Sequence, residues 1–294
     1  MKYLDNLVSR QILSEPNARR VAFWVEPMIE SLVDECADRE APLLVAVAGA
    51  PASGKSIAMY HAQECLRERG VHMISLSLAD FQLSLHDREV LANRVHPLFA
   101  TRGVHGTHDL GLLRSVLTQL VNLDGTEPVA LPIFESRFDA PALKANWPLV
   151  KERPQIIAVT GWCLGAVALA PSDLVVPINS FEAREDPLGQ FRRAVNLAIR
   201  EDYLAIDELF DRWIVTHAPS FEAVERWMQE QTRDKRSQQG IGGDVLTSEG
   251  VQRFLGLIER NVRELLKTLP DKADYLFTLD QNHKITSYVR SHRI

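Results

Sequence analysis

Cysteine is scarce in this chain: there are three in 294 residues, Cys36, Cys65 and Cys163. They are odd in number, far apart and in no Cys-x-x-Cys pair. That excludes a disulfide framework and a cysteine-based zinc site, and it fits a reducing compartment. Positive charge is also short, with 33 Lys and Arg against 39 Asp and Glu, a net charge of −6. The basic footprint of a nucleic-acid binder is therefore missing, as is any electrostatic pull toward an anionic membrane. No apolar run matches the ~20 residues of a spanning helix. The longest, between Gln155 and Ile178, is broken by Thr160, Gly161, Gly165, Pro171 and Asp173, and it reads as a buried strand followed by a loop. Lys2, Asp5 and Arg10 leave the opening without the pattern of a secretory leader. Gly and Pro, 15 each, are at ordinary globular levels. Hydrophobic residues make up 46%, enough for a sizeable core, so intrinsic disorder is excluded. The expectation is a cytoplasmic protein with no nucleic-acid or membrane partner and with its oligomeric state open.

What is present alternates. Val21, Val25, Met28, Ile29, Leu32 and Val33 recur at helical spacing, making residues 1–40 an N-terminal helical segment. Leu43–Ala48 is a continuous apolar run, as a strand covered on both faces requires. A helical pattern from Lys55 to Arg69 stops at Gly70, and a second apolar run, Val71–Leu78, follows. Strand, helix and strand in so few residues form a βαβ unit. Further strands are predicted at Val129–Phe134, Ile156–Thr160, Leu174–Ile178, Trp213–Thr216 and Tyr275–Leu279. Helices are predicted at Asp109–Leu120, Pro187–Ile206, Phe221–Arg236 and Ser248–Leu269. The pattern predicts a doubly wound, mainly parallel α/β sheet over 41–294, flanked by helices. The polar stretch Gln229–Asp244, Gly-rich at its end, reads as a loop within a small helical lid at about 221–245.

Residues 49–56 read Gly49-Ala50-Pro51-Ala52-Ser53-Gly54-Lys55-Ser56. Every fixed position of the phosphate-binding loop G-x-x-x-x-G-K-[ST] is met, with a strand before and a helix after. Phosphate oxygens need donors already in place, and the N–H groups of the loop and of the helix start supply them. Lys55 brings a point charge to the β/γ-phosphates, and the Ser56 hydroxyl is a ligand for Mg²⁺. The motif specifies a nucleoside triphosphate and leaves the phosphate acceptor open.

The second strand ends Ser77-Leu78-Ala79-Asp80-Phe81-Gln82-Leu83, and Arg102-Gly103-Val104-His105-Gly106-Thr107-His108-Asp109 opens a later helix. With the phosphate loop, these stretches resemble the D-glycerate 3-kinases of plant and bacterial type, within the phosphoribulokinase, uridine kinase and pantothenate kinase superfamily. The resemblance runs from about residue 40 to 290. It takes in Pro132 and Phe134, Gly161-Trp162, Asn179 with Glu182, Pro219-Ser220-Phe221-Glu222 and Trp227. It implies a P-loop kinase fold, ATP as phosphoryl donor, Mg²⁺, and transfer to a hydroxyl of D-glycerate or a similar small acid. It also implies a general base at position 79, a carboxylate at 160 and a cation at 228. Here these are Ala79, Thr160 and Met228, and the family's Asp-Lys pair after Pro-x-Phe is Glu135-Ser136.

Asp80 is the carboxylate left at that strand tip and the candidate base, because an attacking hydroxyl must lose its proton. Arg102 suits a substrate carboxylate, and His108 and Asp109 are the other candidate substrate contacts. Bland readings stand beside these. Asp109 sits where a helix cap belongs. His105 and His108 have no third metal ligand at a compatible spacing. Trp162 and Trp227 read as packing residues, Arg192 and Arg193 as a solvated helix face, and Arg233, Lys235 and Arg236 as a charge run near a lid. Two rivals remain at this stage: a kinase for another acceptor, such as a nucleoside or pantothenate, and a non-catalytic nucleotide-binding homologue.

Overall fold

The computed structural model describes residues 15–239 and 247–291. Helix α1 spans Glu15–Ala37, β1 Leu43–Gly49, α2 Lys55–Glu68 and β2 Met73–Ser77. A 3₁₀ turn at Leu78–Phe81 leads to α3, Leu85–Arg94, and then α4, Leu110–Val121. Four two-residue strands follow: β3 Val129–Ala130, β4 Phe134–Glu135, β5 Ala140–Pro141 and β6 Leu149–Val150. Next come β7 Ile156–Gly161, α5 Ser180–Glu185, α6 Gln190–Ala198, α7 Leu204–Asp207 and β8 Arg212–His217. The chain continues through α8 Phe221–Gln239, α9 Ser248–Lys272, β9 Tyr275–Leu279 and β10 Ile285–Arg290.

Six strands form one sheet in the order β10-β9-β8-β1-β7-β2, parallel except for the edge strand β10. The central β1 shows why the sequence alternates as it does. Ala46 and Ala48 pack on one face with Leu113, Leu117 and Leu120 of α4 and Leu265 and Leu269 of α9. Leu43, Val45 and Val47 pack on the other with Val25, Met28, Ile29 and Leu32 of α1 and Met59 and Leu66 of α2. Both faces are covered, so the strand is apolar at nearly every position. A third apolar cluster, with Phe99, Phe181, Phe191, Phe221 and Trp227, fills the space beyond the carboxyl ends of the strands. The fold is thus the expected doubly wound, mainly parallel sheet flanked by helices.

Several local expectations are corrected. Leu174–Ile178 is no strand: a 3₁₀ turn, Pro171–Leu174, occupies its start. The carbonyls of this segment are taken by guanidinium groups rather than by a ladder. Arg192 donates to the carbonyls of Leu174 and Val175, and Arg260 to those of Asp173 and Val176. Arg192 is therefore not on a solvated face. It is buried and paired with Asp186, while its neighbour Arg193 is exposed. The Val129–Phe134 run is only two short pieces in two separate two-stranded ladders. Gln229–Gln239, read as loop, continues α8. Gly240, Gly242, Gly243 and Asp244 lie outside the described residues, as do residues 1–14 and the side chains of Lys235 and Arg236. Pro187–Ile206 is α6 and α7 joined by a π-helical turn, Ile199–Tyr203.

Glu182 and Arg260 are both buried and make a two-pronged pair, with N···O distances of 2.9 and 2.6 Å. Glu182→Ala would leave the guanidinium buried without its counter-charge. The expected loss is about 3–5 kcal/mol of unfolding free energy, read as a shifted urea midpoint with an unchanged slope.

Candidate active site

The carboxyl ends of β1, β2, β7 and β8 meet at one edge of the sheet, where open α/β folds bind ligands. The phosphate loop leaves β1 there. Gly49 has φ +149°, and a Cβ on it would lie 2.3 Å from Thr216 Oγ1 and 2.4 Å from the Thr216 carbonyl, so only glycine lets the loop lie against β8. Buried Ser53 Oγ meets Thr216 Oγ1 at 2.7 Å and pins the loop from inside. Gly54, with φ +83°, turns the chain into α2. Lys55 folds back over the loop, donating to the carbonyls of Gly49 (2.9 Å) and Ala50 (2.7 Å) and to Ser53 Oγ (3.3 Å). Burial pulls its ammonium down to about 7, because desolvation penalises the charged form. Ser56, in the first turn of α2, is exposed. Ala50, Pro51 and Ala52 complete the loop, Ala52 at φ +58°.

At the tip of β2, Asp80 lies in the 3₁₀ turn and accepts from the Phe134 N–H at 3.2 Å. Burial raises its pKa, and the Phe134 N–H opposes the rise. Ala79 is exposed beside it and Met228 packs against the third cluster. Thr160, at the end of β7, donates to the Leu76 carbonyl at 3.3 Å, so its hydroxyl is spent on the neighbouring strand.

The 102–109 segment is tied to both strand tips. Leu83 N–H donates to Thr107 O (2.9 Å) and Asp109 N–H to Phe81 O (2.7 Å). Trp162 Nε1 donates to Gly103 O at 3.0 Å. Gln82 Oε1 accepts from Gly103 N–H at 3.0 Å, which turns the Gln82 NH₂ toward His108 Nε2 at 3.2 Å. That nitrogen must then accept. His108 Nδ1–H accordingly donates to Tyr203 OH at 2.5 Å, and the same hydroxyl accepts from Gly106 N–H at 3.1 Å. Burial pulls His108 down to about 3 and His105 to about 4. Both are neutral at pH 7. His105 donates from Nε2 to Cys163 O at 3.1 Å and sits edge-on to Trp162 and Tyr203. Asp109 caps α4, its Oδ1 accepting from Leu112 N–H at 2.8 Å. Arg102 donates from Nη1 to Ser136 O (2.9 Å) and Asp139 Oδ1 (3.1 Å). At the other end of the site, Trp227 donates to Gln281 O and stacks on His283 at 4.3 Å.

The structure thus gathers the phosphate loop, Asp80 and the 102–109 segment at one edge. It gives His108 and Asp109 partners within the protein, and Arg233 is exposed on α8. Among the described residues no group of three or more His, Cys, Asp and Glu side chains could hold a metal ion. A Mg²⁺ that arrives with phosphates needs few protein ligands, so the exposed Ser56 hydroxyl in the first turn of α2 suits it. Thr216, Gln82, Asp139 and Tyr203 went unread in the sequence. Gln82 adjoins Asp80 and could have been found from that. Tyr203 becomes legible only through the π-helical turn that carries it to the segment.

Fold and phosphate loop together define a P-loop kinase fold. The resemblance to D-glycerate 3-kinase extends to whole structures. A D-glycerate 3-kinase from Cryptococcus neoformans var. grubii matches with a TM-score of 0.73 and 19% identity, covering 91% of this chain and 99% of the other. The YGR205w protein matches with a TM-score of 0.69 and 19% identity, over 92% and 97%. In sequence, an uncharacterized kinase of Schizosaccharomyces pombe, mug58, is 25% identical over 197 residues, 65% of this chain and 70% of the relative. No protein-family model matches the chain.

Proposed function

We propose that this protein is an ATP-dependent small-molecule kinase that transfers the γ-phosphate to a hydroxyl of D-glycerate or a similar small acid. The observation that carries this is the phosphate loop of β1 placed at the same sheet edge as Asp80 and the Arg102–Asp109 segment, in a chain similar throughout to a D-glycerate 3-kinase. ATP would lie on residues 49–56. Lys55 would turn from the loop carbonyls to the phosphates, and Ser56 would hold Mg²⁺, which supplies charge neutralisation on the phosphate oxygens. The acceptor oxygen attacks the γ-phosphorus, its proton passes to Asp80, and the bond to the bridging oxygen breaks to release ADP. Arg102 would bind the acceptor carboxylate. This work would take place in the cytoplasm, without nucleic-acid or membrane partners, on a kinase domain of 41–294 with its lid near 221–245.

A second reading, a nucleotide-binding homologue without transfer, draws on Ala79, Thr160 and Met228, because phosphoryl transfer relies on positioned charge. Incubation with ATP, Mg²⁺ and D-glycerate, with phosphoglycerate followed by mass, separates the two. Product is expected from the kinase. ATP binding without product from glycerate, nucleosides or pantothenate would favour the second.

A further inference from the structure

The 102–109 segment holds two glycines in the left-handed region, Gly103 at φ +83° and Gly106 at φ +92°. A stretch with two such hinges has many conformations of similar energy, so its shape depends on what ties it. Its later end is fixed by the backbone bonds to Leu83 and Phe81. Its middle lies against the junction of α6 and α7: a Cβ on Gly106 would come within 3.6 Å of Ala198 Cβ. Tyr203 reaches the segment from that junction. Its hydroxyl takes two donors, the Gly106 N–H at 3.1 Å and His108 Nδ1–H at 2.5 Å. The ring is 1% exposed and meets the His105 and His108 rings edge-on. One oxygen thus holds both flanks of Thr107, from 97 and 95 residues away in the chain.

The turn that carries Tyr203 is the second observation. Ile199–Tyr203 is π-helical, so it closes over one more residue than an α-helical turn does. Each residue advances an α-helix by roughly 100°. An uninterrupted helix from Gln190 to Asp207 would therefore point Tyr203 away from the segment. Single π turns recur at functional sites.

We infer that Tyr203 is a positioning residue for acceptor binding: it locks Gly106–Asp109 in one conformation and makes His108 a strut rather than a substrate contact. The locking stands on the geometry alone; the link to acceptor binding rests on the proposed kinase reading. His108 gives its Nδ1–H to Tyr203, and its Nε2 receives the Gln82 NH₂. Neither ring nitrogen is then left for a ligand. Phenylalanine at 203 keeps the packed ring and removes the shared acceptor, which leaves two buried donors unpaired.

The test uses the full chain. In Tyr203→Phe, hydrogen–deuterium exchange of the peptide over 102–109 is expected to quicken about tenfold, with the β1 and β7 peptides unchanged. Unchanged exchange at 102–109 overturns the locking, and so does equal acceleration throughout the chain. In spectra of ¹⁵N-labelled histidine, the His108 ring, assigned by its absence from His108→Leu, is expected to carry its proton on Nδ1 in wild type. A proton on Nε2 overturns the bond to Tyr203. In steady-state kinetics, Tyr203→Phe is expected to raise KM for D-glycerate about tenfold, with a smaller change in kcat and none in KM for ATP. A fall in kcat alone, or an equal rise in both KM values, overturns the link to the acceptor. His108→Leu cuts the same tie from the other side, and it takes over the exchange and kinetic comparisons should Tyr203→Phe not fold. Its effect should match, and the double variant should be no worse than the worse single one. Additive losses would make His108 a direct substrate contact and overturn the strut. If ATP binds but D-glycerate is not phosphorylated, the kinase reading and the link to the acceptor fall together, and exchange with the histidine signal still decides the locking.

Discussion

Lys55→Ala is expected to reduce phosphoryl transfer by at least about a thousandfold, the scale of losing a cation that faces the transferring phosphoryl group. The side chain has one arrangement without nucleotide and needs another with it. In the structure it is spent on two loop carbonyls and Ser53, and burial holds its pKa near 7. Phosphates brought alongside would favour the ammonium and push that value back up. ATP binding at pH 8 should therefore take up close to one proton, read by calorimetry in two buffers of different ionisation enthalpy. The stability of the nucleotide-free protein should follow the same group. The folded value lies below that of an unfolded lysine, 10.5, so the unfolded chain binds more protons between the two. Stability contributed by this site then rises with pH from about 7 toward 10.5. Lys55→Met should flatten that part of the profile. An unchanged profile, or turnover equal to wild type in Lys55→Ala, would remove Lys55 from the site.

Asp80→Asn has the second largest expected effect, a loss of about a hundred- to ten-thousandfold in kcat with little change in ATP affinity, as for removal of a general base. Asparagine keeps the shape and can still accept from the Phe134 N–H, so the contact with β4 survives. What goes is the proton acceptor. Burial raises the pKa of Asp80, which makes it a stronger acceptor near neutrality than an exposed aspartate. The acidic limb of kcat/KM should accordingly lie above the ordinary aspartate value in wild type and vanish in the variant. A Lys55-dependent activity that ignores Asp80→Asn would place the base elsewhere. In that case Ala79→Asp with Thr160→Glu, which introduces two carboxylates, is the informative double variant, and a gain in rate would mark the present site as weakened by their absence.

The phosphate loop was legible because its demands are local. Glycines at both ends, a lysine and a hydroxyl beside it follow from the geometry of a turn that must bring backbone N–H groups to phosphate. The central strands were legible for a related reason: β1 and β7 are covered on both faces, so their composition alone separates them from amphipathic helix. Where local pattern misled, the partner was distant in sequence. Leu174–Ile178 looks like a strand, yet Arg192 and Arg260 take its carbonyls. Arg192 looks like surface, yet it is buried against Asp186.

The candidate acceptor side was readable only in outline. Asp80, Arg102, His108 and Asp109 stood out because they flank a motif, but their roles depend on what faces them. His108 is turned inward by Gln82 and Tyr203, the latter 95 residues away, and Arg102 is held by Asp139 across 37 residues. Periodicity and turn chemistry act over a few residues, so they determine that a nucleotide loop forms and that a parallel sheet carries it. Hydrogen bonds between side chains far apart in the chain decide which of the flanking residues remain available to a ligand, and those exist only once the sheet has brought its strand tips together.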